Sequence, residues 1–469
     1  MLNDYLDFVL ENAPYFYYLP SEGTVDMEWG RGPAPASFAI EFLAEAYAAE
    51  EFADRKSEIY SKIVELADYL LSIQCVDADK LAYGGFRSRD DSAYYYSIDA
   101  MRAVPALLKA YDVTGTSSYL DSVLLAGGTF LFNMQHKPSE LGVHEEYYGG
   151  FAQAVTIEDS WLPEMHVVDL YGLVALDCLH VRTNEAKYSA MASDALGFYR
   201  TGFEGLYLKF TPKPSGDGAW HRIGDGETQI YDDDFGYALY GLFQHEGWTA
   251  SVKNVYERLN TVSACAEHPA YDAAFCWAGY LDVVNRKPAC NYYDVVTAGI
   301  LHPLRNGYDP SAAEHSVSIV LRNPDAFKYW GVKFDDYTPV ENKQSTITVS
   351  WIARLLLNYR PFSSAFAKIL RTYGEEIIIR RRKHKNSGEI VYTDEASALA
   401  LVRPVKAEDL FIASGHGLDE HVRIYLTTHI AHGDHVVIRG VEYEVQPVQE
   451  FRFRDRLMYR TALCRRLNE

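Results

Sequence analysis

Cysteine is sparse and never paired. Six residues in 469 (Cys75, Cys178, Cys265, Cys276, Cys290 and Cys464) lie scattered through apolar runs, with no CxxC. A disulfide framework or a structural zinc site is therefore not expected, and reduced, buried thiols are. Positive charge is also scarce, with 44 Lys and Arg against 65 Asp and Glu, a net of −21. The deficit lies in the first 370 residues, which carry −22, whereas Arg371–Glu469 carries +1. An acidic body of that size repels phosphates, so nucleic acid is not expected as a ligand. The asymmetry points to two domains, 1–370 and 371–469. Long hydrophobic runs are missing as well. The first residues, MLNDYLDFVLENAP, hold acids where a signal peptide holds bases, so no membrane insertion is expected.

What the chain has in quantity is aromatic side chains, 36 Tyr, 22 Phe and 7 Trp. These offer a flat apolar face and, for Tyr and Trp, a polar edge. Many fall in two similar stretches, YGGFRSRDDSAYYYSID (83–99) and YYGGFAQAVTIEDSWLPEMHVVD (147–169). Each places a glycine turn, aromatics and carboxylates ahead of an apolar, helix-like run.

Helical periodicity predicts six pairs of helices across the first 370 residues. They begin at SFAIEFLAEAYAAEEF, MRAVPALLKAYDV, VVDLYGLVALDCLHV, DFGYALYGLFQ, DAAFCWAGYLDVVN and STITVSWIARLLLNYR. In five of the six, Gly, Pro, Ser, Thr or Asn marks the turn inside the pair, as helix-stop and N-cap chemistry requires. The first helix of a pair is apolar on most sides, and the second is charged on one face. That contrast predicts an inner ring of helices wrapped by an outer one. Links between pairs of roughly 20–40 residues are longer than structural connections need. A closed toroid with functional loops is therefore preferred to an open solenoid, in which repeats are regular and loops short. If the inner helices are parallel, the loops before their N-termini share one end of the ring. Carboxylates for acid–base chemistry and aromatic platforms for sugar rings then meet there.

Six helical hairpins with Gly-Gly-Phe turns, and acids plus aromatics before the inner helices, resemble the six-hairpin (α/α)6 toroid glycosidase superfamily over roughly residues 20–370. The resemblance implies glycoside hydrolase, polysaccharide lyase or sugar epimerase chemistry on a polysaccharide or glycan, with no cofactor. In similar hydrolases, acids on the second and third inner-helix loops form the catalytic group, which here selects Asp91 and Asp159. Two carboxylates flanking a glycosidic bond serve as acid and base. Asp159, between Ile157 and Trp161, is expected to have a raised pKa and act as the acid. Asp91, near Arg87 and Arg89, is expected to stay ionised as base or nucleophile. Asp233 and Asp336, before the fourth and sixth inner helices, complete the catalytic candidates. Trp29, Tyr95, Trp161, Trp220, His221 and Trp330 are the substrate-binding candidates. Two bland explanations stand beside these. Acids near a helix start are favoured by capping and the helix dipole, which is the preferred reading for Asp99, Asp169 and Asp234. Loop aromatics can simply pack against the ring. An acid pair within a cleft favours catalysis, whereas a plugged ring centre or capping acids favour a non-catalytic glycan binder. The run GDGAWHRIGDGETQIYDDD lacks the EF-hand ligand order, and no metal is expected.

From Glu375 the pattern switches to period two, predicting about five strands in a small antiparallel β-barrel or sandwich. VVIRGVEYEV reads as a hairpin turning at Arg439-Gly440. His416, His421, His429, His432 and His435 are read as surface histidines. GDHVVIRGVEYEVQPVQEF, preceded by GEIVYTDEASALALVRP, is similar to the β-barrel head-completion or head–tail joining proteins of tailed viruses. That likeness implies ring homo-oligomers, viral portal or tail proteins as partners, and a place in the virion after synthesis in the host cytoplasm. The alternatives are a cytoplasmic protein, or a non-catalytic structural virion component.

Overall fold

The computed structural model describes residues 2–137, 147–213, 218–222, 229–230, 233–262, 280–282, 287–292, 297–301, 320, 324–333, 341–358, 373–384, 390–404, 421–426, 430–453 and 456–467. The chain divides into two compact units, Met1–Tyr359 and Arg360–Glu469.

The first unit is built from helical hairpins. After α1 (Leu2–Asn12), the pairs run α2 (Pro33–Ala48) with α3 (Lys56–Ser72), then α4 (Ser97–Thr114) with α5 (Ser117–Leu125). A π-helical turn, Ala126–Leu131, carries α5 on into the short α6 (Phe132–Met134). A 3₁₀ turn, Val167–Tyr171, leads into α7 (Gly172–Thr183), which pairs with α8 (Ala186–Gly205). Then follow α9 (Asp233–Glu246) with α10 (Ala250–Val262), and α11 (Thr346–Asn358). Helix α2 buries residues on every side, from Ala34 through Ile40 to Ala46. Its partner α3 buries one face, Ile59, Lys62, Ile63, Leu66, Ala67, Tyr69 and Leu70. Inner and outer helices thus differ as amphipathicity requires. Inner helices pack in succession, α2 on α4, α4 on α7 and α7 on α9, while α11 returns to pack on α2. The ring is closed, with no free end between its first and last inner helices.

One expectation needs correcting. The fifth pair was expected across DAAFCWAGYLDVV and CNYYDVV, but Tyr280–Asp282 and Lys287–Tyr292 are antiparallel strands of a four-stranded sheet. Helix resumes at 297–301, where Thr297, Ala298, Ile300 and Leu301 are buried. A short apolar run with aromatic and β-branched residues satisfies either period, and the ladder to Gln229–Ile230 and Gly331–Lys333 decides it here. The second helix of the sixth pair was expected just beyond α11, and 359–372 lie outside the described residues. It is α1 that packs on α11.

The two Gly-Gly-Phe turns do the same mechanical task. Gln74, at the end of the first outer helix, donates from its amide to Gly84 O (2.9 Å) and Ser122 O (3.0 Å). Gln135 repeats this with Gly149 O (3.0 Å) and Met191 O (2.8 Å). Each glutamine clips its turn to the next outer helix. Gly84 (φ 91°) and Gly149 (φ 92°) are left-handed, and an added Cβ would lie 2.7 Å from Leu125 O and 2.0 Å from Asp194 O. Only glycine fits both the angle and the approach. Phe86 and Phe151 then enter the core.

The ring axis is filled. Arg354 of α11, fully buried, lies 3.0 Å from Glu41 and 2.9 Å from Glu45 of α2, and donates to Tyr240 Oη at 2.9 Å. Lys109 of α4 reaches Glu41 at 2.7 Å, and Tyr171 donates to it at 3.0 Å. These two cations outweigh burial and hold the Glu41 carboxyl below its ordinary pKa. Phe38, Tyr237, Tyr240 and Trp351 pack around them.

The second unit is a closed barrel of six antiparallel strands: Glu375–His384, Ile390–Pro404, His421–Leu426, His435–Ile438, Val441–Phe453 and Arg456–Arg466. Around the wall they run first, second, third, sixth, fifth, fourth. Closure removes free sheet edges. The hairpin does turn at Arg439 (φ 51°) and Gly440 (φ 81°), with Ile438 opposite Val441, as two left-handed residues in a tight turn require. His421 is 3% exposed, and His435 stacks on Tyr392 while its Nδ1 lies 2.9 Å from Glu442, so neither is the surface histidine expected. His432 Nδ1 lies 3.1 Å from Val445 O, and His416 and His429 lie outside the described residues.

Candidate functional site

The loops before α2, α4 and the Val167–Tyr171 turn, with the strands they carry, form one mouth over the inner-helix N-termini. Tyr94–Tyr96 pairs with Ala154–Thr156, which pairs with Trp161–Leu162. Alternation splits the three tyrosines. Tyr95 shares a face with buried Val155 and Trp161, and packs against the core. Tyr94 and Tyr96 share the other face, with ring centroids 5.7 Å apart. Asp99 follows in the first turn of α4, and burial first, then the negative charge of Asp99, raise the Tyr96 pKa.

Two carboxyls lie just inside the ring. Asp99 is 6% exposed and Asp169 3%. Burial raises each pKa from 3.8 to about 7, and the nearby charge of Arg102 only partly offsets this in both. Arg102 Nη1 is 3.6 Å from Asp99, and its guanidinium lies over the Phe38 and Tyr237 rings at 5.5 and 5.3 Å. Its Nε is buried without a hydrogen-bond partner. Asp169 does cap its turn, accepting from His166 N at 3.2 Å, and also accepts from Tyr199 Oη at 2.9 Å. Tyr199 in turn accepts from Phe151 N at 2.9 Å, which links the second Gly-Gly-Phe turn to this acid. His166 is held below its ordinary pKa, chiefly by burial, with Glu164 at 3.6 Å.

The two acids singled out from sequence sit farther out. Asp91 is 80% exposed, with Arg89 Nε at 3.9 Å. The expected raised pKa of Asp159 is reversed. Its carboxylate accepts from Leu81 N at 2.9 Å and Lys80 Nζ at 3.0 Å, and these bonds hold its pKa below the ordinary carboxylate range. Its apolar neighbours do not desolvate it, because Ile157 and Trp161 are themselves 38% and 41% exposed. Asp159, left-handed at φ 59°, ties two mouth loops together. Asp233 begins α9, and Asp336 lies outside the described residues.

The aromatic candidates divide. Trp29 is 42% exposed and held by Asp26, which accepts from Glu28 N and Trp29 N at 2.9 and 3.3 Å. Its ring meets Tyr17 at 5.4 Å, and Tyr17 meets Trp330 at 6.1 Å. Trp220 packs among Phe198, Tyr199, Tyr207 and Phe210, where it supports the loop as a core residue would. His221 is exposed on the same strand. Arg102 was not singled out from sequence, although its spacing three residues after Asp99 marks one face of α4.

No protein-family model and no curated protein sequence matches the chain. Solved structures do. Cellobiose 2-epimerase from Spirochaeta thermophila aligns at a TM-score of 0.54 and 13% identity, over 75% of this chain and 93% of that one. D-mannose isomerase aligns at 0.54 and 11%, over 76% and 96%. A family 76 glycoside hydrolase from Bacteroides thetaiotaomicron aligns at 0.52 and 14%, over 76% of each chain. Likeness at such identity establishes fold, and with the ring and the barrel described above it makes this chain an (α/α)6 six-hairpin toroid followed by a small antiparallel β-barrel.

Proposed function

We propose that the toroid is a carbohydrate-active enzyme working at the ring mouth, with glycosidic hydrolysis as its reaction. The observation that carries this is the pair of buried carboxyls, Asp99 and Asp169, both raised to about 7 and both under the influence of Arg102. With each pKa raised to about 7 by burial, each carboxyl is available in both protonation states near neutral pH. One then donates to the glycosidic oxygen while the other, ionised, activates water or attacks the anomeric carbon. The same two carboxyls would serve a lyase or an epimerase, in which a proton leaves, or leaves and returns, at carbon.

A glycan panel with product analysis separates these. New reducing ends indicate hydrolysis, unsaturated products elimination, and a mass-neutral isomer epimerisation. Asp99→Asn and Asp169→Asn should each lower turnover by at least about a hundredfold. Glycan binding without turnover by the unaltered protein would instead favour a non-catalytic grip, which the capping bonds of Asp169 and the filled axis support.

The barrel we propose as an attachment module, similar to tailed-virus head–tail joining proteins, that displays the toroid on a virion. That reading rests on the sequence likeness carried by GDHVVIRGVEYEVQPVQEF, the stretch that holds the hairpin at Arg439-Gly440. Residues 360–469 produced alone should fold and assemble into rings or bind portal-type proteins. A monomer indifferent to them would remove the display reading.

A further inference from the structure

Resting on the carbohydrate reading, we infer that the substrate is an uncharged polysaccharide chain, laid along a shelf formed by Trp29, Tyr96 and Tyr94. Arg89 links the two parts of the shelf. Arg89 lies over the Trp29 ring at 5.7 Å, and its charge also acts on the Tyr96 hydroxyl. Tyr96 meets Tyr94 at 5.7 Å, and its hydroxyl also feels Asp99 at the inner end. Trp29 and Tyr94 leave 42% and 37% of their surface to solvent, although both are anchored, Trp29 by Asp26 and Tyr94 by its place in a strand. Fixed, exposed rings leading toward a buried acid suit the C–H faces of successive sugar units. A monosaccharide lodged at Asp99 would not reach outward to Tyr94 or Trp29.

Charge selects the class of polymer. Three cations near the shelf are already matched to carboxylates, and a fourth, Arg87, donates to the Asp90 carbonyl at 3.2 Å. Arg31 pairs with Asp90 at 2.8 Å, Arg89 lies 3.9 Å from Asp91, and Lys343 pairs with Asp26 at 3.1 Å. The surrounding 370 residues carry a net −22. Such a field opposes a polyanion and is indifferent to a neutral chain.

Affinity electrophoresis of the full-length protein tests this, in gels cast with soluble starch, yeast mannan, xylan, mixed-linkage β-glucan, heparin or alginate. Retardation is expected in at least one neutral gel. Trp29→Ala and Tyr94→Ala, tested separately in case one perturbs its loop, should each weaken it about tenfold or more. Tyr60→Ala, an exposed ring on outer helix α3, should leave it intact. Retardation in no gel, only in heparin or alginate, or unchanged in both shelf variants overturns the inference. Product analysis on the same polymers and on free disaccharides keeps the two readings apart. Turnover of disaccharides without retardation in any neutral gel removes the shelf and keeps the enzyme. Retardation that depends on the shelf without any product does the reverse.

Discussion

Replacing Asp99 with Asn asks whether the ring mouth really holds a protonated acid at neutral pH. The native carboxyl has a pKa of about 7 where the unfolded chain has 3.8. Between these values the folded state binds a proton that the unfolded state has released. Stability from this group is therefore full below the unfolded pKa and is lost as pH rises through the folded one. At pH 5 the native group is almost wholly protonated and the unfolded one almost wholly ionised, which stabilises the fold by about 2.5 kcal/mol. At pH 8 both are ionised and the contribution vanishes. Asparagine does not titrate. The variant should gain about 2.5 kcal/mol on the unaltered protein between pH 5 and pH 8, whatever its offset at either. Groups shifted the other way, such as Glu41, are common to both proteins and cancel. Urea unfolding followed by helical circular dichroism at the two pH values reads this difference. A stability gap that stays constant between them would mean Asp99 is ionised throughout and is not the acid.

The mechanical features give sharper expectations. Gly84→Ala and Gly149→Ala, each left-handed and facing a carbonyl, should destabilise the toroid by about 2 kcal/mol or more, read as a lowered thermal midpoint. Gln74→Ala strands one carbonyl in the turn and one on the neighbouring outer helix and should cost about 1–3 kcal/mol by urea titration. Arg354→Met leaves Glu41 with Lys109 alone in a buried setting and should cost about 3–5 kcal/mol, or abolish soluble expression. Asp159→Asn should speed tryptic cleavage after Lys80 while lowering turnover far less than Asp99→Asn does. A hundredfold loss of turnover with unchanged cleavage would return Asp159 to the chemistry.

The ring was legible in the sequence because inner and outer helices differ in how many sides are apolar, and that contrast survives without any coordinates. Within the fifth pair, Tyr280–Asp282 and Lys287–Tyr292 were misread because short apolar runs do not separate a 3.6 from a 2.0 period. The place of the candidate site was proposed from sequence because acids and aromatics cluster before each inner helix. Which of those acids are buried was not legible. Asp91 and Asp159 stood out because they lie clear of helix starts, but distance along the chain is not depth. Asp99 and Asp169 sit one turn inside, where the converging inner helices exclude water, and desolvation there outweighs the capping bonds of Asp169. The Gly-Gly-Phe repeat was read as a turn, and it is also a clip. Its partners, Gln74 and Gln135, were visible in SIQ and NMQ, but only their hydrogen bonds to the neighbouring outer helix give them meaning.

The return of α11 to α2 has a consequence for synthesis. A ribosome adding about 5–20 residues per second needs roughly 15–60 s to travel from Glu41 to Arg354. Throughout that interval the first inner helix exists without the arginine that neutralises its acids and without Trp351 to cover Phe38. Each clipped hairpin can settle on its predecessor as it emerges, but the seam between first and last waits for the whole circuit. The nascent toroid is thus an open crescent with a sticky, acidic inner lip. Overexpression that outruns closure should enrich chains joined lip to lip, which slower translation at low temperature would suppress.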